Sequence, residues 1–273
     1  MRRLAASLAV FGAAAVAFAF LLLPIVAIFA RVPPGRLVDQ FSSSVVTDAL
    51  VVSLKTSALA QALILVLGTP AAYLLATRRF RGRAVAITLV ELPLVLPPAV
   101  AGIGLIAAFG RFGLLGEALS ALGVTLGLTQ AAVVIAVAYV ASPLYLRQAI
   151  AAFEAVDPDV VAAARTLGAG PARTFFRVVL PLARGGLAAG EALAFARGLG
   201  EFGATIMFAG SLQGVTQTLP LAIYQEFAVN FDVTLAMSAL LVVVSAALLL
   251  ALKVGLQWQP SRRTSRFLFA PSS

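Results

Sequence analysis

A chain of 273 residues that is 61% hydrophobic and 11% charged, with a mean hydropathy of +1.03, is composed for a lipid bilayer rather than for water. Cysteine and histidine are both absent, which excludes disulfides and thiolate chemistry and removes the commonest general base and metal ligand. The formal charge of +9 would suggest nucleic acid in a soluble protein, whereas in a membrane chain it sets orientation, and its distribution separates the two cases.

About twenty apolar residues cross the hydrocarbon core as a helix. Six stretches meet or approach that length, at roughly 8–30, 50–76, 85–109, 129–149, 184–208 and 233–255. The period-2 alternation of a barrel is missing, so all six read as helices, which satisfy their own backbone in lipid. The first begins with Arg2 and Arg3, as a leader peptide would. Its apolar run from Leu4 to Ala30 exceeds a leader core, however, and favours an uncleaved span. The chain thus divides into a first helix and outer loop (1–45), a transmembrane domain (46–255) and a short tail (256–273).

Basic residues alternate between the two faces. Arg2 and Arg3, Arg78, Arg79, Arg81 and Arg83, Arg147, Arg165, Arg173, Arg177 and Arg184, and Lys253, Arg262, Arg263 and Arg266 share one face. These are fifteen of the twenty Lys and Arg residues. The opposite face holds Arg31, Arg36 and Arg111, and its last loop (209–232) holds none. The positive-inside rule then places both termini in the cytoplasm of a multi-pass membrane protein, with six spans between them. The charge is thereby accounted for, and no nucleic-acid partner is expected.

Residues 157–181 lie on the cytoplasmic side, and orientation alone does not explain their pattern. Asp157-Pro158-Asp159 reads as a helix start, with a capping acid, a proline in the first turn and a second acid near the positive dipole end. Gly168 stands where a helix needs a left-handed terminal residue, and Pro171 restarts the chain. A second short helix is expected to run to about Val179, with Pro181 marking entry into the fifth span. The result is a surface helix–turn–helix with a small-residue face (Ala162, Ala163, Ala164, Gly168) flanked by arginines. On its residues alone it suits either an interfacial amphipathic element or a docking element for another protein.

These residues resemble a known motif. ABC importer permeases carry a loop of the form Glu-Ala-Ala, three residues, Gly, nine residues, Ile, one residue, Leu-Pro. The frame here is Ala162-Ala163-Ala164, Gly168, Val178, Leu180-Pro181, with Arg165 inside it and every spacing kept. Ala162 stands for the family glutamate and Val178 for the isoleucine. Further stretches are similar to the molybdate permease group and its tungstate and sulfate cousins: AFARGLGEFGATIMFAG (194–210), TQTLPLAIY (216–224) and ELPLVLPPAVAGIGL (91–105). The resemblance covers roughly residues 45–255.

What the resemblance implies is an all-α type I ABC importer permease with six transmembrane helices and a cytoplasmic coupling-helix loop. Its partners would be a separate ABC ATPase subunit, a periplasmic or extracellular oxyanion-binding protein and a second copy of itself. No Gly-x4-Gly-Lys-Ser/Thr loop is present, and neither Lys55 nor Lys253 follows a glycine loop, so ATP hydrolysis is assigned to the partner and no cofactor to this chain. No catalytic or metal-ligating residue is expected. Charges within spans are costly and are functional candidates. Glu91 in span three, with Arg197 and Glu201 four apart in span five, are the leading candidates, and Lys55 near the outer end of span two is a weaker one that can snorkel. Arg197 and Glu201 can pair on one helix face, and Glu91 is a competing partner. Pro97 and Pro98 must interrupt the third span, and Gly203 and the Thr205 hydroxyl lie where a tetrahedral oxyanion could pass. The cargo is expected to be molybdate, with sulfate or tungstate as alternatives. An ion-coupled secondary transporter is the rival from another class, and it leaves the 162–181 segment unexplained.

Overall fold

A computed structural model of the chain describes residues 2–33, 35 and 43–257. Arg36, Arg262, Arg263 and Arg266 and the tail beyond Gln257 therefore lie outside the described residues, as do the side chains of Arg2, Arg3 and Lys253. Among the described residues every regular element is helical. The elements are α1 (Arg2–Arg31), α2 (Ser44–Thr77), α3 (Arg83–Val95), α4 (Pro98–Phe109), α5 (Gly116–Ala121), α6 (Gln130–Glu154) and α7 (Pro158–Thr166). They continue with α8 (Pro171–Thr174), a π turn (Phe175–Val179), α9 (Leu180–Leu199), α10 (Gly203–Ala209), α11 (Leu219–Phe227) and α12 (Phe231–Gln257).

Five helical stretches are long and apolar enough to cross a membrane, and α3 with α4 makes a bent sixth. The expected count of six is met, but two expected spans take a different form. The third is no straight helix over 85–109, because its halves meet at 116°. The cause is local. A residue before proline is driven out of the α region, and Leu96 (φ −68°, ψ 134°) and Pro97 (φ −54°, ψ 134°) both precede prolines and are both extended. The fifth span ends at Leu199, nine residues before its expected end at 208, and reaches back without a break to Pro171. Pro181 does not interrupt it. A proline removes one backbone donor and crowds the carbonyl four residues earlier. Here the turn ahead of it widens, so that Leu180 N–H donates to the carbonyl of Phe175 five residues back.

The core lies between α2, α6 and α9, with α3, α4 and α10 packed onto α6. Close approach of α9 to α6 follows from small residues every four positions. A β-carbon on Gly186 would stand 2.5 Å from Ala152 Cβ, and one on Gly190 would stand 2.8 Å from Gln148 Cβ. Ala194 is fully buried on the same stripe, and a β-carbon on Gly198 would lie 2.9 Å from Val137 Cγ1. Packing of this kind suits lipid, where van der Waals contact replaces the hydrophobic drive between helices. At the other end of the bundle α11 joins α2 and α12, with Ser53 Oγ accepting a 2.7 Å bond from Leu219 N–H. α1 packs against α12 and leaves its apolar surface exposed.

Candidate functional site

The helix pair at 157–179 is built as its sequence dictates. Asp157 caps α7, its carboxylate accepting from Asp159 N–H at 2.9 Å. At the far end Gly168 takes φ +82°, Ala169 N–H donates to Ala164 O, and Gly168 N–H donates to Arg165 O. That is a glycine-terminated helix stop in which the last carbonyls are satisfied. Ala162, Ala163, Arg165 and Gly168 are exposed, Ala164 is half-buried, and Leu167 at the tip is 88% exposed. The second half of the motif lies elsewhere. Val178 and Leu180 are half-buried in the membrane-side helix, and Pro181 is exposed on it. The spacing therefore joins a free surface to a fixed root.

A second group surrounds the two helix breaks. Arg197 and Glu201 do meet, at 2.7 Å, although not on one helix. α9 ends at Leu199, and Glu201 lies in the non-helical Gly200–Phe202 segment. Its other oxygen accepts from Ala204 N–H at 2.8 Å, opening α10. The glutamate side chain is 1% exposed and the arginine 34%. Glu91 is not a partner for Arg197, because it pairs with Arg147 of α6 at 3.0 Å, where α3 runs beside α6. A β-carbon on Gly203 would stand 2.6 Å from Pro98 Cβ, so the two breaks touch each other. Thr205 is fully buried, and its Oγ1 has no hydrogen-bond partner. The hydroxyl faces the interior of this single chain rather than an open path. Lys55 is exposed on α2.

Three polar residues of this region were not singled out from the sequence. Gln61 on α2 is 5% exposed with neither amide atom partnered, and Nε2 is 3.3 Å from where a Gly198 β-carbon would be. Glu191 on α9 has a buried, unpartnered Oε2. Arg147 was read as loop charge, but α6 continues to Glu154 and carries it. The signal for Gln61 and Glu191 was available, since each is a polar residue inside an apolar run. Among the described residues no group of three or more Asp or Glu side chains is placed to hold a metal ion.

Residues 25–263 match the family described as "Binding-protein-dependent transport system inner membrane component". The chain belongs to this family. Its relatives include the molybdenum transport system permease protein ModB of Mycobacterium tuberculosis, 46% identical over 85% of this chain and 88% of that one. The ModB protein of Escherichia coli (strain K12) is 44% identical over 65% of this chain and 78% of that one. Among solved structures, a bacterial ABC transporter involved in the import of the acidic polysaccharide alginate superposes with a TM-score of 0.76 at 16% identity. It covers 94% of this chain and 96% of that one. The MetNI methionine ABC transporter in an inward-facing form gives 0.63 at 19% identity, over 78% and 95%. These two likenesses establish the fold of an ABC importer permease for this chain.

Proposed function

We propose that this chain is the membrane-spanning subunit of an ATP-driven, binding-protein-dependent importer for molybdate. The observation that carries the reading is the 46% identity, over 85% of the chain, to a molybdenum permease. ATP hydrolysis is assigned to a separate ATPase subunit. The α7–α8 pair, with its exposed Ala162, Ala163, Arg165 and Gly168, is its docking point, in support of which the family spacing and the free small-residue face agree. One such element per chain against two ATPase sites makes a symmetric pair of permeases the economical assembly. The oxyanion would cross between the two copies, past the breaks at Pro97–Pro98 and Gly200–Gly203, with the Arg197–Glu201 pair beside the path. The segment Ser211–Asp232, which has no Lys or Arg, would face the binding protein. Both termini are assigned to the cytoplasm of the inner membrane.

Proteoliposomes containing this chain, the ATPase encoded beside it and the cognate binding protein test the reading. ATP-dependent uptake of labelled molybdate is expected, blocked by tungstate and indifferent to sulfate. Strong competition by sulfate would move the cargo to sulfate. Uptake that follows an ion gradient and ignores ATP would refute the importer reading.

A further inference from the structure

The chain leaves the bundle at the end of α6, forms α7 and α8, and returns through the π turn. Both crossing points lie against one place on α2. Tyr73 of α2 meets Phe153 edge-on at 5.4 Å between ring centroids and Phe175 at 4.8 Å, and Phe153 and Phe175 are 6.2 Å apart. Phe153 precedes α7 and Phe175 follows α8, so one three-ring cluster closes the base of the intervening loop. Phe153 is 3% exposed, and Tyr73 and Phe175 are half-buried against the main core, together with Val156 and Val161 at the start of the loop.

Polar contacts reinforce the same point. Arg83, the first residue of α3, donates from Nε to the Leu75 carbonyl at 2.6 Å and from its guanidinium to Glu154. Leu75 O is among the last carbonyls of α2, which the helix itself leaves without donors, and Glu154 is the last residue of α6. One side chain thus ties the ends of α2 and α6 to the start of α3, at the residue after which the loop departs. On the return side Thr174 is 1% exposed, and its hydroxyl donates to Gly170 O at 3.0 Å. The tip is bare by contrast, with Leu167 and Gly168 in the open.

An element anchored at both roots and free at its tip transmits a push, whereas one with loose roots absorbs it. We propose that Tyr73, Phe153 and Phe175, braced by Arg83 and Glu154, are positioning residues that act as the fulcrum of the α7–α8 pair and set how much ATPase motion reaches the bundle. The proposal rests on the reading of α7–α8 as the ATPase contact. The widened turn at Phe175–Val179 fits this role, since it seats Phe175 in the cluster while the helix runs on unbroken through Pro181 into α9.

The test uses the full complex in proteoliposomes and reads ATP hydrolysis and molybdate uptake from the same vesicles. For Phe175→Leu, molybdate moved per ATP is expected to fall about tenfold. Hydrolysis should stay within twofold of the unmodified complex and the melting temperature within a few degrees. Phe175→Tyr, which keeps the ring, is expected to restore the ratio, and Phe20→Leu on the exposed surface of α1 should leave it unchanged. Packing alone would lower uptake, hydrolysis and melting temperature together with their ratio intact, and that result overturns the proposal. If Phe175→Leu does not assemble, Arg83→Gln decides, and an unchanged ratio there overturns it equally. Failure of the importer reading is a separate outcome, visible as absence of ATP-dependent uptake in the unmodified complex.

Discussion

The Arg197–Glu201 pair makes a quantitative prediction because its two members differ in burial. Replacing Arg197 with methionine leaves a carboxylate that is 1% exposed, with only the Ala204 N–H to satisfy it. Removing one partner of a buried pair costs about 3–5 kcal/mol. Glu201→Gln keeps an acceptor for Ala204 N–H and strands only the guanidinium, which is 34% exposed. Solvent screening reduces that loss to about 2 kcal/mol. The double substitution Arg197→Met with Glu201→Gln strands no charge and keeps the bond to Ala204, so its cost is about 0–1 kcal/mol. The singles therefore sum to about 5–7 kcal/mol, and the double recovers most of it, a coupling far above the few tenths expected of independent sites. At about 2–4 °C per kcal/mol for a chain of roughly this size, Arg197→Met is expected to melt about 10 °C lower and the double variant within about 4 °C of the unmodified protein. The assay is thermal unfolding of the purified protein in nanodiscs at one fixed scan rate, since membrane proteins unfold irreversibly and only matched rates compare. A double variant as unstable as the sum of its singles would refute the argument, because the two residues would then be held by different partners.

Adjacent glycines on α9 should respond in opposite ways. Gly186→Ala places a β-carbon 2.5 Å from Ala152 Cβ and must widen the α6–α9 seam, at about 1–3 kcal/mol. Gly185→Ala meets nothing within 4 Å and should be neutral or stabilising by about 0.5–1 kcal/mol; the two melting temperatures decide it. Gly168→Val forces a β-branched residue to φ +82°, costing about 1–2 kcal/mol confined to the end of α7. Uptake should fall with the melting temperature unchanged, while Gly168→Asn, which tolerates that conformation, should retain most activity. Gln61→Leu removes a buried amide with no partner and should be neutral or stabilising by about 1 kcal/mol; a large loss of stability would mean that the amide is satisfied within the fold.

Helix identity was legible wherever composition alone governs it. Each apolar run became helical, two of them with a break, and the cap at Asp157 and the stop at Gly168 follow from local chemistry that a few residues fix. What escaped reading depends on backbone geometry that neighbouring residues leave open and on one pair that only the fold brings together. Two consecutive prolines announce a break, but the 116° bend comes from Leu96 and Pro97 being extended together. Pro181 looks like a helix boundary until the π turn ahead of it is seen. Spacing four apart promised a same-face pair at Arg197 and Glu201. The contact forms even though the helix ends between them, because an extended carboxylate reaches both the guanidinium and the start of α10. Glu91 was matched to the wrong arginine for want of the α3–α6 contact, which only the fold supplies.

The two halves of the third span are held by chemically different means, with a consequence for how its bend can change. α3 is tied to α6 by ion pairs, Arg83 with Glu154 and Glu91 with Arg147, whose side chains are 30–63% exposed. Long, partly exposed charged side chains can follow a small displacement without losing contact. α4 is held to α10 by contacts that cannot give. A β-carbon on Gly102 would stand 2.6 Å from Met207 Cβ and 3.1 Å from Ala204 Cα, and the Gly203–Pro98 approach is as close. Close-packed interfaces of this kind shift as units rather than deform. α9, meanwhile, is locked onto α6 by the Gly186–Gly190–Gly198 seam. A change of angle at Leu96–Pro97 therefore moves α10 with α4, and the displacement must be taken up where α10 joins α9, at Gly200–Phe202. Glu201 sits at that joint and holds both sides of it, Arg197 on α9 and Ala204 on α10. The strength of its two bonds sets how readily the two breaks bend together.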